Sequence, residues 1–306
     1  IDEALAECVA GQQWDRAADI VEADRHAVQN RQDWHLLWRR LQLLPDAVIS
    51  QRPGLLLAKA WLLQVHNRHA PLTELVEQAA ALLSARHVNP GLVPVQVLWG
   101  EINTLRAAPF LPDVPLQHKL TLIQEALLAL APAQQYEWVR GYAFIALVHA
   151  LLAAGEHETA YRALMREVTD ADLGSTRYLA RLHQALGNIA YYHGALAELK
   201  QTSARYLQLA VQSDSATSAA WARFGLGWSR YQSGDPPEDV LAALLPIYEQ
   251  LQAVHLHTAL LALPLVVAAA AECRREEVGA ALVEGMLQAA LERENIMGAD
   301  EAEAAG

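Results

Sequence analysis

The sequence predicts an all-α chain in which helix pairs stack into a right-handed superhelix, an α-solenoid. Three observations carry this. No run of alternating β-branched residues bounded by turn residues occurs along the 306 positions. Apolar residues recur instead at intervals of three and four, as in Leu179, Leu182, Leu186, Ile189 and Ala190, or Leu72, Leu75, Val76, Ala79, Ala80 and Leu83. The third observation is a period. Four stretches in the second half share a helix–turn–helix plan, Val139–Val168, Tyr178–Val211, Ala219–Leu251 and Thr258–Leu291, with turns at Gly155, Gly194, Gly234 and Arg274–Arg275. Successive turns lie 39, 40 and 40 residues apart.

Taken in order, Gly11-Gln-Gln-Trp14-Asp-Arg-Ala17-Ala18 reads as a turn entering a second helix. Helices are expected at 34–43, 53–66, 71–86, 92–107, 116–130 and 135–153. Pro53, Pro71 and Pro115 fall at helix starts, where proline is tolerated because the first-turn N–H has no intrahelical acceptor. Ala108-Pro-Phe-Leu-Pro-Asp-Val-Pro115 breaks the pattern as a loop. In the regular half, glycine suits the turns because the residue just past a helix often adopts a left-handed conformation. Leu186-Gly187 and Leu226-Gly227 each place a small residue seven positions before the turn glycine, where a paired helix can approach closely. The last repeat differs, lacking a turn glycine and carrying Pro264 inside its first helix, which predicts a kinked or capping unit. Helical pairs that cannot bury their own apolar face stack on neighbours. The period exceeds the about 34 residues of a tetratricopeptide repeat. Even so, a turn followed five or six residues later by Ala160 or Ala17 favours that class. The expected layout is one domain over 1–306: less regular repeats over 1–133, four regular repeats over 134–297, and a flexible tail at 298–306. The chain reads as a piece of a longer protein.

Composition bounds the function. With 53% hydrophobic and 19% charged residues, a large core is available and disorder is not expected. A net charge of −12 argues against a nucleic-acid-binding module, which needs clustered Lys and Arg. Cys8 and Cys273 stand at opposite ends, so no disulfide framework or Cys-rich metal site is expected, and a cytoplasmic setting fits. The longest apolar run, Ala259–Ala271, is too short for the roughly 20 residues a spanning helix needs, so no membrane association is expected.

At Trp38-Arg-Arg-Leu-Gln-Leu-Leu-Pro45, followed by Arg52-Pro53-Gly-Leu-Leu-Leu-Ala-Lys-Ala60-Trp61, the sequence resembles the tetratricopeptide-like sensor region of MalT-type regulators. These are bacterial ATP-dependent transcription activators with a LuxR-type DNA-binding end. The matching positions are Leu44, Pro45, Pro53, Leu55, Ala60 and Trp61, and the segment Ala185–Gly194 resembles the family too. The resemblance implies a non-catalytic superhelix that receives an inducer or regulatory protein and controls self-association of the full-length protein. It implies ATP only in an upstream module. No Gly-x-x-x-x-Gly-Lys-Ser/Thr loop and no basic recognition helix occur in this chain.

Catalytic signatures fail. There is no Gly-x-Ser-x-Gly elbow, His157-Glu158 lacks the second histidine of a zinc helix, and Gly225-Leu-Gly227 lacks a third glycine. The pairs His66/His69 and His255/His257 have no carboxylate or thiol nearby to complete a metal site. The chain is thus expected to be no enzyme, with no metal or cofactor of its own. Trp14, Trp34, Trp38, Trp61, Trp99 and Trp138 read as packing, and Glu156, Glu158, Glu167, Asp170 and Asp172 as a solvated rim. The better signal lies on the first helices of consecutive repeats, which line the groove of such a superhelix. There the repeat register places Tyr142 and His149, then Arg181, Gln184, Asn188 and Tyr191, then Trp221, Trp228 and Tyr231. Flat rings beside amide and guanidinium groups suit a small polar ligand or a peptide strand. The first reading is a sensor that binds an inducer or regulatory partner in this groove; the alternative is a scaffold holding a peptide or helix. The plainer alternative for Trp221, Phe224 and Trp228 is inter-repeat core.

Overall fold

The computed structural model describes residues 1–65, 68–85, 92–108, 114–131, 134–170, 175–254 and 256–304, with side chains described except at 134, 250–254, 256–258, 261, 290 and 292–304. Among them no strand occurs. The chain divides into two compact units, Ile1–Ala185 and Leu186–Gly306.

The first unit opens with α1 (Asp2–Ala10), α2 (Trp14–Arg31), α3 (Trp34–Gln42) and the single turn α4 (Asp46–Ile49). It continues with α5 (Pro53–Val65), α6 (His69–Ser84), α7 (Val95–Arg106) and α8 (Leu116–Ala129). A 3₁₀ turn at Gln134–Tyr136 leads into α9 (Glu137–Ala153), then α10 (His157–Asp170) and the first half of α11 (Thr176–His193). Pro53 opens α5, Pro71 sits in the first turn of α6, and Pro115 immediately precedes α8. Asp33 caps α3 by accepting a hydrogen bond from the Leu36 amide at 3.0 Å. The loop read at 108–115 lies mostly outside the described residues. Only α4 was not foreseen; at four residues it is too short to show a period.

The four turns that the period marks are left-handed, and Gln32 and Asp214, at φ 61° and 53°, add left-handed residues elsewhere. Gly155, Gly194 and Gly234 have φ of 76°, 71° and 79°, and Arg274 takes the same role at 55°. At the first turn the left-handed residue is Gln12, φ 53°, and Gly11 stays right-handed at −84°.

The core of the first unit is built on Leu5, Val21, Leu37, Leu55–Leu57, Trp61, Leu98 and Ile102, all buried. Into it the fold sets a polar cluster. The Arg25 guanidinium donates to Glu101 at 2.5 and 2.9 Å, the Trp61 indole donates to the same carboxylate at 2.9 Å, and His26 Nε2 lies 2.9 Å from it. Arg25 and Glu101 are both fully buried. Burial alone would raise the Glu101 carboxyl, but Arg25 and these hydrogen bonds hold it well below the usual carboxylate range. One turn earlier, Arg52 pairs with Asp19 at 2.5 Å and with buried Glu22 at 3.1 Å. The Glu22 carboxyl lies against Gly54, where a β-carbon would collide with it. Farther along, Arg140 binds Glu167 through two bonds of 2.8 Å and the Leu127 carbonyl at 2.9 Å, while Tyr178 donates to Glu167. This corrects the reading of Glu167 as a solvated rim residue: it ties α9, α10 and α11 together. Glu156, Glu158 and Asp170 are exposed, and Asp172 lies outside the described residues. A second correction concerns Trp38, which is 43% exposed; α3 turns Leu37 and Leu41 inward instead.

The second unit pairs the end of α11 with α12 (Leu196–Gln212), α13 (Ala216–Gln232) with α14 (Pro237–Val254), and α15 (Leu256–Glu272) with α16 (Glu276–Ala304). Its core gathers Val240, Leu241, Leu244, Tyr248, Ala262, Leu265, Val266 and Met286. Gly227 admits Leu244 of the paired helix so closely that a β-carbon would collide, whereas Gly187 meets only Thr202 Oγ1 at 3.9 Å. Gly225 makes the same close approach to Ser203 of the preceding helix. Helix α15 runs unbroken through Pro264, and α16 stays helical to Ala304, through most of the stretch read as a tail. Ala and Glu, which dominate that stretch, are strong helix formers.

Candidate functional site

The candidate residues divide between the two units, Tyr142, His149, Arg181 and Gln184 in the first and the rest in the second. In the first unit α9 sets Trp138, Tyr142, Ile145 and His149 along one side, at helical spacing. Trp138 meets Trp34 edge-on at 4.7 Å and Trp61 at 6.5 Å. Over its ring, 3.5 Å from the centroid, lies the guanidinium of Arg181. Gly141 makes this placement possible: a β-carbon there would run into the Arg181 side chain. Arg181, read from the sequence as a groove residue offered to a ligand, is therefore half-buried and stacked on an aromatic face. Trp138, read as packing alone, is its platform. The signal was present, since Trp138 stands four residues before Tyr142 on the same face of α9.

Tyr142 is buried. Its ring meets Trp61 edge-on at 5.3 Å and its hydroxyl accepts from the Gln64 amide at 3.0 Å. Burial pushes the phenol up despite nearby Arg181. This places Tyr142 in the wall behind the face rather than on it, because α5 brings Trp61 and Gln64 up against it. His149 and Gln184 are half-buried, and burial holds the His149 imidazole below its usual value.

The second unit gathers the rest. Tyr191 lies 5.3 Å from Tyr192 and 5.0 Å from Trp228; Trp228 is 6.4 Å from Phe224, and Phe224 is 6.1 Å from Trp221. Five rings from α11 and α13 thus form one continuous row. Phe224, Trp228 and Tyr231 rest one side on the unit's core and are only partly buried, so the reading of Phe224 and Trp228 as inter-repeat core holds for one side of each ring. Tyr191 and Tyr192 are exposed, at 37% and 58%. Tyr231 closes the face by donating to Glu272 Oε1 at 2.5 Å, and that bond is the main reason its phenol titrates high. Asn188 is half-buried on the α11 side. Tyr192 and Phe224, which complete the row, are not among the candidate residues picked from the sequence.

Among the described residues no group of three His, Cys, Asp or Glu side chains could hold a metal ion. His66 and His255, and the His257 side chain, lie outside them. No described helix is long and apolar enough to cross a membrane. Two surface grooves, of about 600 Å³ between α7 and α8 and about 430 Å³ between α15 and α16, are lined by other residues than the candidate set.

No protein-family model matches the chain, and no curated protein does. Among solved structures it is similar to a Rap protein complexed with Competence and Sporulation Factor. The two share a TM-score of 0.56 at 9% identity over 94% of this chain and 96% of that one. The likeness shows a fold of the tetratricopeptide-like helical-repeat class.

Proposed function

We propose that the chain is a non-catalytic recognition scaffold that holds an extended peptide segment of a regulatory partner against its first-helix face. The row Tyr192–Tyr191–Trp228–Phe224–Trp221 carries the proposal. Phe224 and Trp228 are seated on the core and so are held in place, offering apolar area at little entropic cost to binding. An unbroken row suits a chain that lays successive side chains across it better than it suits one compact molecule. The fold shared with a Rap protein captured in complex with its factor supports a partner-binding role. The small-molecule sensor of a MalT-type regulator is the finer reading. It rests on the motif at Leu44, Pro45, Pro53, Leu55, Ala60 and Trp61, whose residues serve here as core and helix starts.

A thermal-shift screen against short peptides, oligosaccharides, nucleotides and amino acids tests the proposal. A peptide at 100 times its dissociation constant adds about 2.7 kcal/mol of stability. The expected hits are peptides rich in proline and aromatic residues, and Trp228→Ala abolishes them while keeping its helical circular dichroism. Hits confined to oligosaccharides or nucleotides would contradict the scaffold and favour the sensor.

A further inference from the structure

On the α15–α16 pair an apolar groove of about 430 Å³ is lined by Val267, Ala271, Gly279, Ala280, Val283 and Leu287. It is no part of the aromatic face. Helix α16 has already spent one side on the core, where Met286 is buried and Val278 and Leu282 pack against α15. Its other side repeats apolar residues at intervals of four: Val283, Leu287 and Leu291 are 39%, 62% and 56% exposed. Three large apolar side chains in register beside a groove form a seam complementary to one further helix.

Charge decides which helix. Glu276 and Glu284 stand on the groove's lining, and neither has an ion-pair partner among the described residues. The α16 sequence carries eight acidic residues and one basic one, and Leu186–Gly306 carries 15 acidic against 7 basic. Arg274 and Arg275 sit at the preceding turn, outside the lining. A second copy of α16 on this seam would set acidic flank against acidic flank, which costs affinity in any register. We infer that the groove on α16 docks an amphipathic helix of a partner protein, with an apolar stripe for Val283, Leu287 and Leu291 and Lys or Arg flanks for Glu276 and Glu284.

The test uses the whole chain with two synthetic, fluorescently labelled amphipathic helices. They share a leucine stripe, and one has lysine flanks where the other has glutamate. Expected is saturable binding of the lysine form alone, weakened at least tenfold by Leu287→Lys and several-fold by Glu284→Lys. Both substitutions are at exposed positions, and circular dichroism confirms that the variants stay folded. Equal binding to wild type and Leu287→Lys, or binding of both helices alike, would overturn the docking site. So would concentration-dependent dimerisation in sedimentation that Leu287→Lys removes, which would assign the seam to a second copy of the chain.

Discussion

Arg25 and Glu101 are both fully buried and 76 residues apart, and nothing in the sequence around either one marks it as a core position. Glu22, Arg25, His26 and Gln29 recur on α2 at intervals of three and four, a pattern that signals a solvent face when polarity is equated with exposure. The structure turns that stripe inward because the connection before α5 supplies Arg52, α5 supplies Trp61 and α7 supplies Glu101 as partners, which no local pattern reveals. Removing one partner strands the other charge. Glu101→Gln is therefore expected to destabilise the chain by about 3–5 kcal/mol in urea denaturation, while exposed Glu158→Gln changes almost nothing. His26 gives the cluster a pH signature. Burial, reinforced by Arg25, keeps its folded-state value below 6.5, so the unfolded chain takes up the proton first as the pH falls. Its contribution is complete above pH 6.5 and is lost below it. Glu101, held low, adds stability above 4.5 that vanishes only in stronger acid; Glu22, raised by burial, works in the opposite direction near the same pH. The urea midpoint is expected to fall between about pH 7.5 and about pH 5.5, less steeply in His26→Gln. His149, shifted the same way, keeps some slope in that variant. An unchanged slope would remove His26 from the account. Arg181→Ala, which uncovers Trp138, is expected to cost about 1–2 kcal/mol in the same assay.

Among the elements, helices and turns were legible because their causes are local. The period of the turns follows from residues that tolerate a left-handed backbone, and Arg274 shows the rule by breaking it. An arginine at φ 55° bears a strain that glycine does not. Arg274→Gly is expected to raise the melting midpoint, by about 0.5–1 kcal/mol in stability, and Gly194→Ala at φ 71° to lower it by about 1 kcal/mol. The space around Gly194 is open, so its cost is conformational alone. Gly227 is the reverse case: its backbone is ordinary, and the collision with Leu244 makes Gly227→Val the more damaging change. Differential scanning calorimetry of the three variants separates the two mechanisms. What the elements did not disclose was which face of each helix meets which neighbour. Trp38 and Trp61 both lie in the motif that resembles the MalT-type family, yet one is exposed and the other anchors Glu101.

For the molecule, the fold class was readable because a repeat imposes the same constraint many times. The candidate site was readable only in outline. The register pointed to α9, α11 and α13, but it could not tell a half-exposed residue from a buried one behind it. That depends on partners such as Gln64 for Tyr142 and Gly141 for Arg181. The aromatic row emerged because Tyr191 and Trp228 come from different helices, and only packing brings their rings to 5.0 Å. Binding through that row is the central claim, and the hydrogen-exchange footprint of a bound peptide tests it most directly. The account predicts that a peptide found in the screen slows exchange in the last turns of α11 and along α13, and that Trp228→Ala erases the protection. Protection confined to α7–α8 or to α15–α16, with α13 exchanging as in the free chain, would contradict it.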